Sequence, residues 1–298
     1  MEKVAFIGLG IMGKPMALNL LKAGYELKVY DINPAPMDEL KAQGALTAQS
    51  CKEAAEFGRV VITMLPNSPH VKQAVLGPDG VLEGLSEGSI LVDMSSIAPL
   101  SAQEISEEVA KKGVLMLDAP VSGGEPKAVD GSLAIMVGGP QEAFERVKDI
   151  FGVLGSSATL VGGIGAGNTT KLANQIIVAL NIAAMSEALV LVAKAGVDPE
   201  RVYKAIRGGL AGSTVLDAKA PMVLEGNYKP GFRIELHIKD LQNALDTAHE
   251  LGTPIPLSSQ VMEIMQALKT DGKAGDDHGG LIQFYEQLAK IKVRRNGI

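Results

Sequence analysis

The sequence predicts an α/β domain built on a largely parallel sheet, followed by an all-α domain that opens with one long interdomain helix. Three observations carry that reading. Short apolar runs alternate with amphipathic stretches through the first half of the chain, a glycine-rich segment interrupts it at 162–167, and strand patterning stops beyond that point. Strand, helix and strand in succession imply right-handed crossovers and a sheet covered on both faces.

Taken in order, the apolar runs at 4–7, 27–30, 60–65, 90–92 and 114–117 read as buried strands. Helical spacing marks 15–23, 36–43 and 98–112 between them, and the runs at 133–137 and 159–161 extend the sheet. Glycines 162, 163, 165 and 167 are too closely spaced for the interior of an element and read as a hinge or tight loop. The first domain is therefore placed at 1–163 and the second at 164–298. From 168 to 195 there is neither proline nor glycine, and Leu172, Ile176, Ala179, Ala183 and Leu189 recur at helical spacing. That is one helix of roughly 40 Å at 1.5 Å per residue. It is apolar on more than one face, which calls for cover by other helices or by another subunit. Further helices are expected over 199–207, 214–223, 238–251 and 258–269, and no short repeat is present.

Composition narrows the function classes. Across 298 residues, 46% are hydrophobic and 21% charged, the balance of a folded globular chain. A net charge of −6 argues against nucleic acid as a partner, and 4% aromatics without Trp leave few platforms for stacking bases. Cys51 is the sole cysteine, so no internal disulfide can form and a reducing cytoplasm is the expected compartment. The first residues run straight into a strand without signal-peptide layout, and no apolar run approaches the ~18 residues of a membrane span.

The most specific motif is Gly8-Leu9-Gly10-Ile11-Met12-Gly13, directly after the first strand and before a helix with Pro15 in its first turn. That context turns a weak G-x-G-x-x-G into a Rossmann-type dinucleotide site. Gly8 permits the tight turn, Gly10 lets backbone approach a pyrophosphate, and Gly13 lets helix and strand pack closely; the helix N-terminus favours the anion. Asp31 ends the second strand, 18 residues after Gly13. An acid there accepts the ribose hydroxyls of NAD and repels the 2′-phosphate of NADP, and Ile32 and Asn33 beside it bring no arginine. The alternative is that Asp31 merely caps the turn before Pro34. Leu65-Pro66-Asn67 and Met94-Ser95-Ser96 follow the third and fourth strands, where ligands of open parallel sheets lie, so both loops are expected to flank the cofactor.

Lys171 and Asn174 stand three apart at the start of the long helix and so share a face. That face meets the apolar stripe where the domains are expected to join. A lysine in such surroundings can titrate nearer neutrality and serve as acid or base; alternatively it snorkels to water. Ser122-Gly123-Gly124 can bring several backbone donors to a small anion. His70, His237, His249 and His278 are scattered without ligand spacing, so no metal is expected, and Cys51 in a polar helical stretch reads as a bystander.

These motifs together resemble the β-hydroxyacid dehydrogenases. The resemblance runs the length of the chain, through G-L-G-I-M-G-K-P-M at 8–16, M-L-P-N-S-P-H-V at 64–71 and D-M-S-S-I-A-P at 93–99. It continues in D-A-P-V-S-G-G at 118–124, G-A-G-N-T-T-K-L-A-N-Q at 165–175 and H-I-K-D-L-x-N-A-L-D at 237–246. The stretch at 206–217 resembles the tartronate semialdehyde branch in particular. The resemblance implies that Lys171 protonates the carbonyl oxygen as hydride arrives, that Ser122, Gly123 and Gly124 hold the substrate carboxylate, and that Asn174 orients substrate. It also implies that Ser96 and Lys239 contact the nicotinamide end of the cofactor. Some relatives place an arginine where this chain has Ile32, a departure that weakens an NADP assignment.

The expected activity is NAD-linked reduction of tartronate semialdehyde to D-glycerate, in a homodimer or homotetramer held by the helical domain. Neighbouring activities are 3-hydroxyisobutyrate dehydrogenase and succinic semialdehyde or glyoxylate reductase. A non-catalytic NADH-sensing regulator has no need of a lysine and an amide one turn apart beside an anion-binding loop, and imine reductases of this architecture often replace the lysine. Arg207 either helps hold substrate or ends a helix at the surface.

Overall fold

The computed structural model describes residues 2–295. The chain divides into two compact units, Met1–Lys171 and Leu172–Ile298. The first unit runs β1 (Lys3–Ile7), α1 (Gly13–Lys22), β2 (Glu26–Tyr30), α2 (Pro34–Lys41), β3 (Leu46–Thr47), α3 (Cys51–Ala55), β4 (Val60–Thr63), α4 (Ser68–Leu76) and α5 (Val81–Gly84). It continues with β5 (Ile90–Asp93), α6 (Pro99–Ala110), β6 (Leu115–Asp118), β7 (Val121–Ser122), α7 (Gly124–Asp130), β8 (Leu133–Gly138), α8 (Gln141–Leu154) and β9 (Gly155–Gly162).

Strands β3-β2-β1-β4-β5-β6 lie side by side, all parallel, and this order reverses direction between β1 and β4. Such a reversal opens a crevice beyond the strand carboxyl ends, where open α/β sheets take ligands. β8 closes the edge antiparallel to β6 and β7, and β9 pairs with it in parallel. The sheet is thus largely parallel as expected, with an antiparallel margin that apolar runs alone do not specify.

Successive side chains explain why these strands are apolar without interruption. In β1, Val4 and Phe6 enter one core with Met16, Leu20, Phe144, Val147 and Phe151, while Ala5 and Ile7 enter the other with Val71, Val75, Ile105 and Val109. Both faces are buried, so no position alternates to polar. Three differences from the sequence expectation are instructive. The third strand ends at Thr63 rather than continuing to residue 65, because Met64 begins the loop against Gly8. Helix α8 is additional, although its buried Ala143, Phe144, Val147, Ile150, Phe151 and Leu154 have clear helical spacing. β3 and β7, two residues each, are too short for any periodic signal.

Helix α9 (Ala166–Lys194) crosses from the first unit into the second. The second unit adds α10 (Pro199–Ile206), α11 (Thr214–Glu225), α12 (Ile234–Glu250), α13 (Pro256–Thr270), a 3-10 turn (His278–Leu281) and α14 (Ile282–Ala289). Its core gathers Ala179, Ile182, Met185 and Leu189 of α9 with apolar residues of α11, α12 and α13. The one correction to the membrane reading concerns α9: its 29 residues are long and apolar enough, by length and composition, to cross a bilayer. Asn181, Ser186 and Glu187 interrupt the run without lowering its average below that of a span. The core helix of a soluble protein passes the same test, and α9 does contribute to the second unit's core.

Candidate functional site

In the first unit, the glycine loop follows β1 at the switch point between β1 and β4. Gly8 has φ +95°, and a Cβ there would lie 2.3 Å from the Met64 carbonyl oxygen. A Cβ on Gly13 would lie 1.9 Å from the Gly8 carbonyl oxygen, so only glycine lets α1 start this close to the turn. Gly10 instead faces open space. Leu9 is buried, Gly10 and Ile11 are exposed, and Met12 stands at the N-cap of α1. The three glycines therefore divide into one turn, one open approach and one packing contact, the arrangement a pyrophosphate requires. The loop fits a dinucleotide.

Asp31 does cap the turn before Pro34, accepting from Asn33 N at 2.8 Å, but it does not cap α2. That cap is Asn33, whose Oδ1 accepts from Ala35 N. Asp31 Oδ2 accepts from Leu9 N at 2.6 Å and its Oδ1 from Asn33 N at 2.8 Å, so this carboxylate ties the end of β2 to the glycine loop. Leu65-Pro66-Asn67 and Ser95-Ser96 are stitched together: Leu65 N donates to Ser95 Oγ at 2.8 Å and Ala98 N to Ser68 Oγ at 3.1 Å. Asn67 caps α4 through Ser68 N. Gly123 and Gly124 take φ +141° and +70° at the start of α7, a turn closed to residues with side chains, and Ser122 is half-buried beside them.

Lys171 is 6% exposed in the first turns of α9. Those turns are fixed to the sheet by a polar network that sequence reasoning passed over. Asp118, the last residue of β6, accepts from Gly165 N (2.8 Å), Asn168 N (2.7 Å) and Asn168 Nδ2 (3.3 Å), while Asn168 Oδ1 accepts from Ile97 N (3.0 Å). On the neighbouring strand, Asp93 Oδ1 accepts from Thr63 Oγ1 and Ser95 N. Burial pushes both carboxyls up to about 6, against the pull of their hydrogen-bond donors. The signal was present: two apolar strands each end on an acid, Asp93 and Asp118.

In the second unit, Asn174 Nδ2 donates to Gln175 Oε1, and Gln175 Nε2 to the buried Asp240 at 2.5 Å. Lys239 is half-buried with Nζ 2.9 Å from Asp240 Oδ1. The histidines are less scattered than their spacing suggests. His237 and His278 approach with Nδ1 to Nδ1 at 2.9 Å, and His237 Nε2 lies 3.1 Å from the Gln175 carbonyl. A carbonyl only accepts, so His237 Nε2 carries hydrogen, and in the neutral pair its Nδ1 accepts from His278. No group of three metal-ligating side chains occurs among the described residues. Arg207 is exposed, pairs with Asp217 at 3.0 Å and lies over the Tyr203 ring. Burial pushes the Cys51 thiol up to about 11, so it stays protonated at neutral pH.

Comparison with known proteins places these parts. Residues 3–163 match the family model described as the NAD binding domain of 6-phosphogluconate dehydrogenase. Residues 165–285 match the model described as NAD-binding of NADP-dependent 3-hydroxyisobutyrate dehydrogenase. This chain belongs to the β-hydroxyacid dehydrogenase family. It is an NAD(P)-dependent oxidoreductase of that family, as the glycine loop and its sheet imply. The 2-hydroxy-3-oxopropionate reductase of Escherichia coli is 44% identical, covering 98% of this chain and 99% of its own. The mitochondrial 3-hydroxyisobutyrate dehydrogenase of Bos taurus is 36% identical, covering 95% and 87%. Among solved structures, the Mycobacterium tuberculosis 3-hydroxyisobutyrate dehydrogenase with L-serine superposes with a TM-score of 0.89 at 31% identity, covering 96% of this chain and 99% of that one.

Proposed function

We propose that this β-hydroxyacid dehydrogenase reduces tartronate semialdehyde (2-hydroxy-3-oxopropanoate) to D-glycerate, reversibly, with NAD as its preferred cofactor and Lys171 as its general acid. The observation that carries the chemistry is a nearly buried lysine on a helix turn anchored to the sheet. The similarity to the Escherichia coli reductase supports the substrate.

When bound, NADH supplies the hydride. Gly8, Gly10 and Gly13, with Leu9, Ile11 and Met12 between them, hold the pyrophosphate; Asp31 takes the ribose hydroxyls; Leu65, Pro66 and Asn67 flank the dinucleotide; Ser96 and Lys239 hold its nicotinamide end. Ser122, Gly123 and Gly124 bind the substrate carboxylate and Asn174 orients the reacting group. Lys171 Nζ gives its proton to the aldehyde oxygen as the carbonyl carbon becomes tetrahedral, and recovers it in the reverse direction. NAD preference rests on the acid at 31 with Ile32 beside it, where a 2′-phosphate would meet negative charge. We propose 1–163 as the cofactor-binding part and 164–298 as the substrate and oligomerisation part. Exposed Ile177 and Leu191 on α9, 60% and 70% accessible, support a homodimer or homotetramer joined through the helical part, and a cytoplasmic location is proposed from the lone Cys51.

Two experiments test this. Lys171→Ala is expected to bind NADH nearly normally while turnover falls by ~10²-fold or more; unchanged turnover overturns the role of Lys171. Assay of the purified protein against a panel of small semialdehydes with NADH and NADPH should favour tartronate semialdehyde and NADH. A preference for methylmalonate semialdehyde would instead support a 3-hydroxyisobutyrate dehydrogenase, the reading that the bovine relative favours. A tenfold or larger preference for NADPH would remove Asp31 from its role.

A further inference from the structure

We infer that Asp118 and Asn168 form a positioning device for the proton donor, setting the height and rotation of the first turn of α9, and hence the place of Lys171, against the strand ends. The inference rests on Lys171 being the general acid. Neither residue touches the reacting atoms in this account; both act through the helix.

The first N–H groups of an α-helix have no partner within it, and a carboxylate placed there satisfies them and complements the helix dipole. Asp118 does so from the last position of β6, and it is wholly buried. One carboxylate oxygen takes Gly165 N and the other takes Asn168 N, so the two bonds fix the helix end at two points. Asn168, also wholly buried, adds a third point: its Nδ2 reaches Asp118 and its Oδ1 accepts Ile97 N, in the loop immediately after Ser96. A single side chain thus couples the turn that carries Lys171 to the loop assigned to the nicotinamide end of the cofactor. Lys171 follows Asn168 by three residues, on the same helix face.

Backbone packing makes the arrangement rigid. A Cβ on Gly167 would lie 2.3 Å from the Asp118 carbonyl oxygen and 2.6 Å from that of Met136. A Cβ on Gly138 would lie 2.4 Å from Asp118 Oδ1 and 2.7 Å from Gly167 N. The helix therefore meets the strand ends main chain to main chain, with no side chain between to absorb a shift. A displacement of one ångström in such a donor is enough to cost ~10²-fold in rate.

A double-mutant cycle on kcat separates positioning from mere support. It uses the full-length protein and the semialdehyde turned over fastest in the panel above. Asp118→Asn places an amide nitrogen against an N–H donor, and kcat is expected to fall by ~10- to ~100-fold. NADH affinity, read by cofactor fluorescence, should change less than about threefold. In the Lys171→Ala background the same substitution is expected to cost little more, because the residue through which it acts has gone. Should Asp118→Asn fail to fold, judged by circular dichroism, Asn168→Ala enters the cycle in its place. A loss that remains fully additive with Lys171→Ala, or a kcat that does not fall, overturns the device while leaving Lys171 as the acid. If Lys171→Ala alone leaves turnover intact, the general-acid reading and this inference fall together.

Discussion

The two units bury polar side chains in different places, and the difference shows what each scaffold asks of them. In the first unit, Thr63, Asp93, Ser95, Asp118 and Asn168 cluster where β4, β5 and β6 end and α9 begins. The strands between are apolar on both faces, and their backbone groups are satisfied by neighbouring strands, so polar side chains are needed only where the ladder stops. That is also where a parallel sheet binds ligands. Among its described residues the second unit has no sheet; Asp277 and Glu286 serve the connections between helices, while Gln175 and Asp240 join α9 to α12. Asp277 accepts from Lys219 Nζ and from the backbone N–H groups of Gly231, Phe232 and Gly279. Glu286 accepts from Val293 N and pairs with Lys292 and Arg294. Buried polarity thus organises the strand ends in one unit, and in the other it ties loops and joins helix to helix.

The sharpest way to break this contrast is Asp277→Ala. The substitution strands the half-buried ammonium of Lys219 and leaves three backbone donors without their acceptor. Removing one partner of a buried charge pair costs about 3–5 kcal/mol. Urea titration should show that loss, while NADH affinity of the folded fraction stays within about twofold of the parent if the residue only ties loops. A large fall in cofactor affinity from this site would end the distinction between the units.

The same contrast explains what the sequence disclosed. The Rossmann-type half was legible because each of its devices is local: an apolar strand, three glycines at fixed spacing, an acid at the end of the next strand. The long helix was legible from the absence of proline and glycine over 168–195. Asp118 and Asn168 were visible as letters within motifs, yet their bonds span 47 to 71 positions, and no pattern of one strand or one helix reports them. The pairing of His237 with His278, 41 positions apart, was hidden for the same reason. Asp31 shows the opposite case. Its place was clear from spacing, but its bond to Leu9 N, which makes it part of the glycine loop, follows only from the register of β1 against β2.

A smaller effect tests the ligand-facing edge of the first unit. Burial holds the Asp93 carboxyl at about 6 against an ordinary 3.8. Between those values the folded protein keeps a proton that the unfolded chain has released, so stability present below about pH 4 is lost as pH rises through about 6. Asp93→Asn retains an acceptor for Thr63 and Ser95 and removes the titration. From pH 4.5 to 7.5 the parent should therefore lose about 2 kcal/mol more than the variant, measured by urea unfolding at each pH. Parallel curves would mean that Asp93 is charged throughout, and that the strand ends are wetter than their burial implies.

The smallest effect belongs to Arg207, the residue that sequence left between substrate contact and helix end. Its guanidinium is exposed, bonded to an equally exposed Asp217 and laid over Tyr203. Ion pairs in such positions are screened by water and contribute little, so Arg207→Ala should shift the melting temperature by no more than about 2 °C. The informative readout is KM for the semialdehyde. Unchanged KM places Arg207 among the surface pairs of the helical unit and leaves recognition of the substrate anion to Ser122, Gly123 and Gly124. A KM raised ~10-fold with kcat preserved would mean that uniform binding energy had been lost. Arg207 would then join Asn174 as a substrate contact of the helical unit, and recognition of the substrate anion would no longer rest on Ser122, Gly123 and Gly124 alone.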